Sequence, residues 1–292
     1  MTDVELYHYE MGTGVVAFST TRHGGCSTGH TATESDTCPS ENYASFNINR
    51  YCGDSQEHVA QNRKVLCRQL GISDDRLIMP HQTHDTRVAY IDERFLSLSP
   101  DERKQTLEGI DALMTNVPGV CIGVSTADCI PLLLYDPHRR AVCAIHAGWR
   151  GTVARIAEKA VWTMAATYGS RPSDLVAQIG PGISLDSFEV GQEVYDAFAA
   201  AGFDMPTISK RYPINDGGSE LFTLHSSLFT SKWHIDLPEC NRRQLIASGL
   251  TADRITLCGI CTYQQHDTFF SARRLGISSG RIFTGILLKT LI

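Results

Sequence analysis

The chain lacks several features that mark common protein classes. Its longest apolar runs, such as IPLLLY and IFTGILL, are far shorter than the ~20 residues that cross a bilayer. Its 26 basic and 32 acidic residues give a net charge of -6, and no stretch clusters lysine and arginine as nucleic-acid or anionic-membrane surfaces do. We therefore expect no membrane span and no nucleic-acid partner. A small-molecule partner, including a phosphate, needs only one or two well-placed arginines.

We also expect neither a secretory signal nor a disulfide framework. The first residues, MTDVELYHYEMGTG, carry acids and no continuous apolar core. The ten cysteines are spread over 292 residues, mostly among apolar neighbours, unlike those of a small disulfide-bonded domain. We expect a cytoplasmic protein whose cysteines are mostly buried thiols. The CGIC pair at 258–261 has no second pair with which to close a structural zinc site.

What the chain does have is a mixture of strand and helix patterns, which predicts an α/β or α+β enzyme core. Apolar residues at helical spacing predict helices over 55–70, 151–168, 189–202 and 238–249. Polar residues and turn formers predict surface loops over 29–44 and 204–220. The segments with β-strand character are GVVAFSTTR, GVCIGVST, IPLLLYD, AVCAIHA, DLVAQIGPG and RITLCGI.

Two polar segments follow apolar strands closely enough to belong to one site. Asp128 and Cys129 come at the end of one predicted strand, and His146 ends another, directly before a glycine-rich turn that contains Arg150. A histidine placed between a strand end and a glycine turn points toward open space, where ligands bind in sheet-based enzymes. The arginine in the same turn favours an anion.

The segment HQTH supplies a further histidine to this site. If it is extended, His81 and His84 lie on opposite faces, so that one reaches a metal and the other can bind substrate or act as an acid or base. Widely spaced ligands such as a histidine of HQTH with Cys129 and His146 suggest an open catalytic site rather than a zinc knuckle. Two imidazoles and a thiolate suit Zn²⁺, with Cu²⁺ as the alternative. A buried cysteine beside two hydrogen-bonded histidines is the structural alternative.

Several motifs, taken in order, resemble the YfiH or laccase-domain family: FSTTRHGGCSTG, SFN, QNR, HQTH, TADCIPLLLYD, HAGWRGT, IGPGIS, DLPECNRRQL and CTYQQHDTFFSARR. The resemblance implies an α+β fold with a four-layer α/β/β/α arrangement of mixed sheets. It implies a single domain over 1–292, with the segments near 29–44 and 204–220 as surface insertions. It also implies that the metal is bound by His84, Cys129 and His146.

The activities that this resemblance implies are of different kinds. Members are described as laccase-type polyphenol oxidoreductases, as purine nucleoside phosphorylases that also deaminate adenosine, and as peptidoglycan-editing factors. A multicopper laccase commonly uses His-x-His pairs, and none occurs among the 11 histidines. A hydrolase would use Cys129 as nucleophile and His146 as base. Nothing in the sequence predicts an oligomeric state.

We therefore predict a zinc-dependent enzyme of purine nucleosides and phosphate, with copper-dependent polyphenol oxidation or Cys/His hydrolysis as alternatives. In the purine enzyme Cys129 and His146 belong to the catalytic centre, and Asp128 or His81 moves the proton. The predicted substrate contacts are Asn47, Arg22, Arg63, Arg150 and Arg273.

Overall fold

The computed structural model describes residues 4–28, 41–213 and 231–290. Within these ranges the strands are β1 (Leu6–Tyr9), β2 (Val15–Thr20), β3 (Leu77–Ile78), β4 (Val88–Tyr90), β5 (Ala112–Thr115), β6 (Cys121–Thr126), β7 (Ile130–Asp136), β8 (Ala141–Ala147), β9 (Val176–Ile179), β10 (Glu189–Val190), β11 (Ser209–Pro213), β12 (Ser231–Ile235), β13 (Ile255–Leu257) and β14 (Ile282–Leu288). The α-helices are α1 (Gln56–Leu70), α2 (Glu93–Ser97), α3 (Pro100–Thr106), α4 (Trp149–Val153), α5 (Ile156–Tyr168), α6 (Gln192–Ala200), α7 (Met205–Ile208), α8 (Leu237–Ala247) and α9 (Ala272–Leu275).

The strands form two large mixed sheets and one small sheet. The five-stranded sheet has the order β1-β2-β14-β6-β3, and the six-stranded sheet has the order β13-β9-β7-β8-β5-β4. The three-stranded sheet, β10-β12-β11, is antiparallel. In the middle of the chain β6 lies in the five-stranded sheet and β7 in the six-stranded sheet. The short connection between them therefore crosses from one large sheet to the other.

The two large sheets pack face to face through alternate residues of their strands. Ile122 and Val124 of β6 form one buried cluster with Leu133 of β7 and Ala144 of β8. Because strand side chains alternate between faces, the residues between these point outward. Leu132 accordingly packs toward the helices on the far side of the six-stranded sheet.

Helices cover both outer faces of this pair of sheets. Ala157 of α5 and Leu245 of α8 join a cluster with β7 and β8 on one side. On the other side, Leu66 of α1 packs with Phe18 and Phe283 of the five-stranded sheet. The predicted four-layer α/β/β/α arrangement with mixed sheets is therefore confirmed.

Two of the predicted helices are confirmed and a third is divided. The helix predicted over 55–70 is α1, whose N-terminus is capped by the Ser55 hydroxyl, and that predicted over 238–249 is α8. The prediction of one helix over 151–168 was wrong, because the chain forms α4 and α5 there. Arg155 lies between them with a left-handed backbone (φ 62°). Its guanidinium lies 3.9 Å over the Phe203 ring and donates to the Ala201 carbonyl at the end of α6.

Two further predictions need correction. The helix predicted over 189–202 begins only at α6, because its first residues form β10. The loop predicted over 204–220 was wrong for its first half, where α7 and β11 form and Met205 and Ile208 are buried in the core. The rest of that segment, and most of 29–44, lies outside the described residues. Among the described helices, none combines the length and apolar character that crossing a membrane requires.

Candidate metal centre

The connection from β6 to β7 places Cys129 directly before β7, at one end of the central strands of the six-stranded sheet. Asp128, directly before it, has a left-handed backbone with φ 87°. Its carboxylate accepts hydrogen bonds from the Thr262 hydroxyl at 2.7 Å and from the main-chain N–H of Arg273 at 2.6 Å. These bonds hold the turn in an uncommon conformation, so Asp128 fixes the position of the neighbouring thiol.

The pairing of β7 with β8 brings His146 to the same end of these strands. Pro131 lies opposite His146 and Ile130 opposite Ala147, so the start of β7 meets the end of β8. The next residue, Gly148, leaves space for the site: an added Cβ would lie 2.9 Å from Cδ2 of His84 and 3.1 Å from Sγ of Cys129. A side chain at this position would displace both groups.

A buried carboxylate, Asp111, positions both histidines. It precedes β5 and lies beside His146 across the sheet, and its Oδ1 accepts a 2.7 Å hydrogen bond from His146 Nδ1. The same carboxylate accepts the main-chain N–H groups of Thr83, His84 and Asp85 at 2.9 to 3.2 Å. It thereby holds His84 in a left-handed conformation with φ 65°.

These contacts bring three ligand atoms together, from His84, Cys129 and His146. They all lie within 4.8 Å of one another, and the Cys129 sulfur is 3.9 Å from Nε2 of His84. With Nδ1 of His146 bonded to Asp111, the other ring nitrogen is free to bind a metal, as in many metal sites where a carboxylate bonds the histidine ligand. His84 is exposed and Cys129 half-buried, whereas His146 is buried. The group fits a transition metal that remains accessible from one side.

The electrostatics also suit a metal ligand. Burial raises the pKa of the Cys129 thiol, but the charge and hydrogen bond of His146, with a hydrogen bond of His84, outweigh it and lower the pKa to about 6. Burial lowers the pKa of the His146 imidazole, but attraction to Cys129 and the hydrogen bond to Asp111 raise it overall. The site therefore favours a thiolate at neutral pH, and thiolate is the form of cysteine that binds metals.

His81 lies outside this group, although the extended strand predicted for HQTH does not form. Its ring stacks on Tyr51 with centroids 4.1 Å apart, and its Nδ1 lies 2.7 Å from the Glu108 carboxylate. The segment is a loop rather than a strand, since His84 has a positive φ. The two histidines still separate into different environments, and His81 stays available to substrate with about a third of its side chain exposed.

Three of the other predicted contact residues form internal bonds. Arg22 donates to the carbonyls of Ala44 and His266, and its guanidinium lies over Phe270. Asn47 is fully buried, where its amide bonds Asp54, Asn49 and the main chain of Arg281. Arg63 is buried against Asp74 and Leu77. These bonds are with the fold itself, and the three residues stay predicted substrate contacts.

Arg150 and Arg273, the other two predicted contact residues, are exposed. Arg150 is exposed, four residues after His146, with its guanidinium stacked 4.3 Å over the Trp149 ring. Arg273 is exposed beside Asp128, and both line a cavity of about 350 Å³. These two arginines border open space next to the segments that carry the ligands.

Asp111 and Glu108 were not predicted from the sequence. Asp111 stands at the start of an apolar strand in EGIDALMT, as several other acidic residues stand at element ends. No local pattern distinguishes a carboxylate that bonds a histidine on a neighbouring strand. A search for acids that directly precede strands flanking a candidate ligand would have found it.

The sequence from residue 16 to 289 matches the model of the multi-copper polyphenol oxidoreductase laccase family. The chain belongs to this family. A protein of Bacteroides thetaiotaomicron, named purine nucleoside phosphorylase, is 47% identical over 93% of this chain and 90% of its own length. Another, from an unknown prokaryotic organism and named adenosine deaminase RL5, is 45% identical over 94% and 95% of the two chains.

Two solved structures have the same fold. YlmD of Geobacillus stearothermophilus superposes with a TM-score of 0.76 at 29% identity, covering 95% of this chain and 93% of its own. YfiH of Bacillus licheniformis gives a TM-score of 0.77 at 28% identity, covering 94% and 93%. These matches confirm the predicted family and fold, and the relatives confirm that the chain is an enzyme.

Proposed function

We propose that this laccase-family enzyme is a zinc-dependent purine nucleoside phosphorylase that also deaminates adenosine. The observation that carries the proposal is the group of His84, Cys129 and His146, whose ligand atoms lie within 4.8 Å of one another. It is supported by the names of two relatives, purine nucleoside phosphorylase and adenosine deaminase, which are 47% and 45% identical to this chain.

The donor set favours zinc, with copper as the alternative. Two imidazole nitrogens and one thiolate are ligands of catalytic zinc sites, which keep a fourth position for substrate or water. Zinc in such a set supplies Lewis-acid chemistry at neutral pH. Asp111 prepares the protein for it by holding the Nδ1 proton of His146, so that the buried ring presents its other nitrogen.

The surrounding residues have separate roles in this proposal. The exposed guanidinium of Arg150 binds phosphate beside the ligand group, and Arg273 contacts the substrate at the adjoining cavity. His81 transfers the proton, with Glu108 orienting its ring from 2.7 Å. Asp128 is less suited to proton transfer, because both of its carboxylate oxygens already accept hydrogen bonds within the fold.

A product analysis tests the proposal. The zinc-loaded protein is incubated with adenosine, with and without phosphate, and the products are separated by chromatography. We expect adenine only with phosphate, and inosine in both cases. Cys129→Ala should abolish both reactions together with zinc binding. If none of adenine, inosine and hypoxanthine appears with the wild-type protein, the proposal fails.

A Cys/His hydrolase is the second candidate, favoured by the thiolate that His146 stabilises at Cys129. In that enzyme the sulfur attacks an acyl carbon and the imidazole carries the proton. The two functions respond oppositely to chelation. A hydrolase keeps full activity after zinc is removed and loses it on alkylation of the thiol, whereas the metalloenzyme loses activity on chelation and regains it with zinc.

A further inference from the structure

A cavity of about 750 Å³ lies apart from the candidate metal centre, between α1 with the turn that follows it and the pair α2 and α3. None of the three candidate metal ligands lines it. Its apolar wall is formed by residues in or directly after β3, α2 and α3: Leu77, Ile78, Met79, Phe95, Leu98 and Leu107. The volume falls within the range of small-molecule sites, which is roughly 300 to 1,000 Å³.

A buried arginine, Arg63, lines this cavity with part of its guanidinium unused. Its side chain is only 7% exposed, its Nε donates to Asp74 at 2.9 Å, and its Nη2 donates to the Leu77 carbonyl at 2.9 Å. Its Nη1 forms no hydrogen bond with any residue in the described ranges. Because Arg63 lines the cavity, a ligand acceptor at this nitrogen would form a charge-assisted hydrogen bond with a guanidinium that is otherwise enclosed by protein.

The charges around Arg63 also leave a positive excess. Asp74 serves two arginines, because Nη2 of Arg50 lies 3.8 Å from its other carboxylate oxygen. Burial lowers the pKa of the Arg63 guanidinium, and Asp74 only partly offsets this effect. The full lining has more cationic than anionic side chains: Arg50, Arg63, Arg103 and Lys104 against Asp74, Asp75 and Asp101.

We infer that this cavity is a second small-molecule site, which binds an organic anion with a flat apolar body. The body packs against Met79, Phe95 and Leu107, and the carboxylate or phosphate monoester group binds Arg63, with Arg50 at the rim. This arrangement combines an apolar wall with a few convergent charged groups, as small-molecule sites do. The site contains none of the three candidate metal ligands, although Tyr51 of its lining stacks on His81.

Calorimetric titration of the zinc-loaded protein tests this inference with three matched probes: 2-naphthyl phosphate, 2-naphthoate and 2-naphthol. We expect saturable binding of at least one anion at one site per chain. The uncharged 2-naphthol should bind at least about tenfold more weakly than the anions, because a charge-assisted hydrogen bond is lost. Tighter binding of the phosphate identifies a phosphate monoester as the ligand class, and tighter binding of the naphthoate identifies a carboxylate.

Variants assign the binding to this cavity. Leu107→Trp fills the cavity and should abolish binding, whereas Leu6→Trp, at a half-buried leucine of β1 that does not line it, should not. Arg63→Gln should weaken anion binding about tenfold and leave 2-naphthol unchanged. If Arg63→Gln melts far below the wild type, Arg50→Gln replaces it, with a smaller loss expected.

Three results would overturn the inference. The first is no saturable binding of either anion. The second is binding that Leu107→Trp leaves intact. The third is binding that disappears in Cys129→Ala, because the probe would then occupy the candidate metal centre.

Discussion

Asp111 and His146 are joined twice across the six-stranded sheet. The main-chain N–H of His146 donates to the Asp111 carbonyl at 2.8 Å, and the His146 ring lies 2.7 Å from the Asp111 carboxylate. Burial raises the pKa of the Asp111 carboxyl, but the hydrogen bond and charge of His146 outweigh this effect and lower it. The carboxylate stays ionised, so it orients the imidazole and the loop of His84 at the same time.

Asp111→Asn should weaken zinc binding by about 10- to 100-fold, the usual effect of removing a carboxylate that bonds a histidine ligand. The amide cannot hold the Nδ1 proton of His146 as an anion does, and it accepts fewer of the N–H groups at 83–85. Competition with a chromophoric chelator measures the affinity. Glu108→Gln is the matched control, because that carboxylate bonds His81 instead. Equal affinities in wild type and Asp111→Asn would contradict this role.

Alkylation should distinguish Cys129 from the other thiols. In the zinc-free protein its reaction with iodoacetamide should rise with pH and reach half its maximum near its pKa of about 6, because only the thiolate reacts. Cys26 is also half-buried but has a raised pKa, so it should react only at alkaline pH. Mass spectrometry of the digested protein follows both sites, and zinc should protect Cys129. A midpoint above pH 8 at Cys129 would rule out the stabilised thiolate.

Gly148→Ala should reduce zinc affinity by about tenfold or more while the protein stays folded. The backbone there has φ -68°, which alanine adopts without strain, but the new Cβ would press on His84 and Cys129. Gly151→Ala is the matched control in the same segment, since its nearest neighbour would be at 3.4 Å, an ordinary contact. Calorimetric zinc titration of the two variants gives the comparison. A wild-type zinc affinity in Gly148→Ala would contradict this steric conflict.

Arg150→Gln should raise the KM for phosphate in phosphorolysis by about tenfold, because one charge-assisted hydrogen bond to the anion is lost. Deamination of adenosine, which uses no phosphate, should be unchanged. The melting temperature should also stay constant, because the side chain is exposed. Arg22→Gln should do the reverse, lowering the melting temperature by removing donors to Ala44 and His266. A phosphate KM that does not move would assign the phosphate site elsewhere.

The sequence by itself predicted the features that depend on nearby residues and on ordered motifs. Apolar periodicity located α1 and α8, and the motifs TADC and HAGWRG predicted that Cys129 and His146 lie in one site. The four-layer fold followed from the family resemblance. The helix and motif predictions succeed because a helix pattern, or a glycine turn after a histidine, is defined within a few residues.

Only the tertiary structure decided which polar groups meet across the fold. Asp111 bonds His146 because β5 and β8 are neighbours, a pairing that no local pattern records. Arg63 bonds a buried network, and Arg155, where the helix predicted over 151–168 is divided, contacts Phe203 far along the chain. Each of these outcomes depends on contacts between residues distant along the chain, so that packing of the folded layers, rather than local propensity, determines the role of each charge.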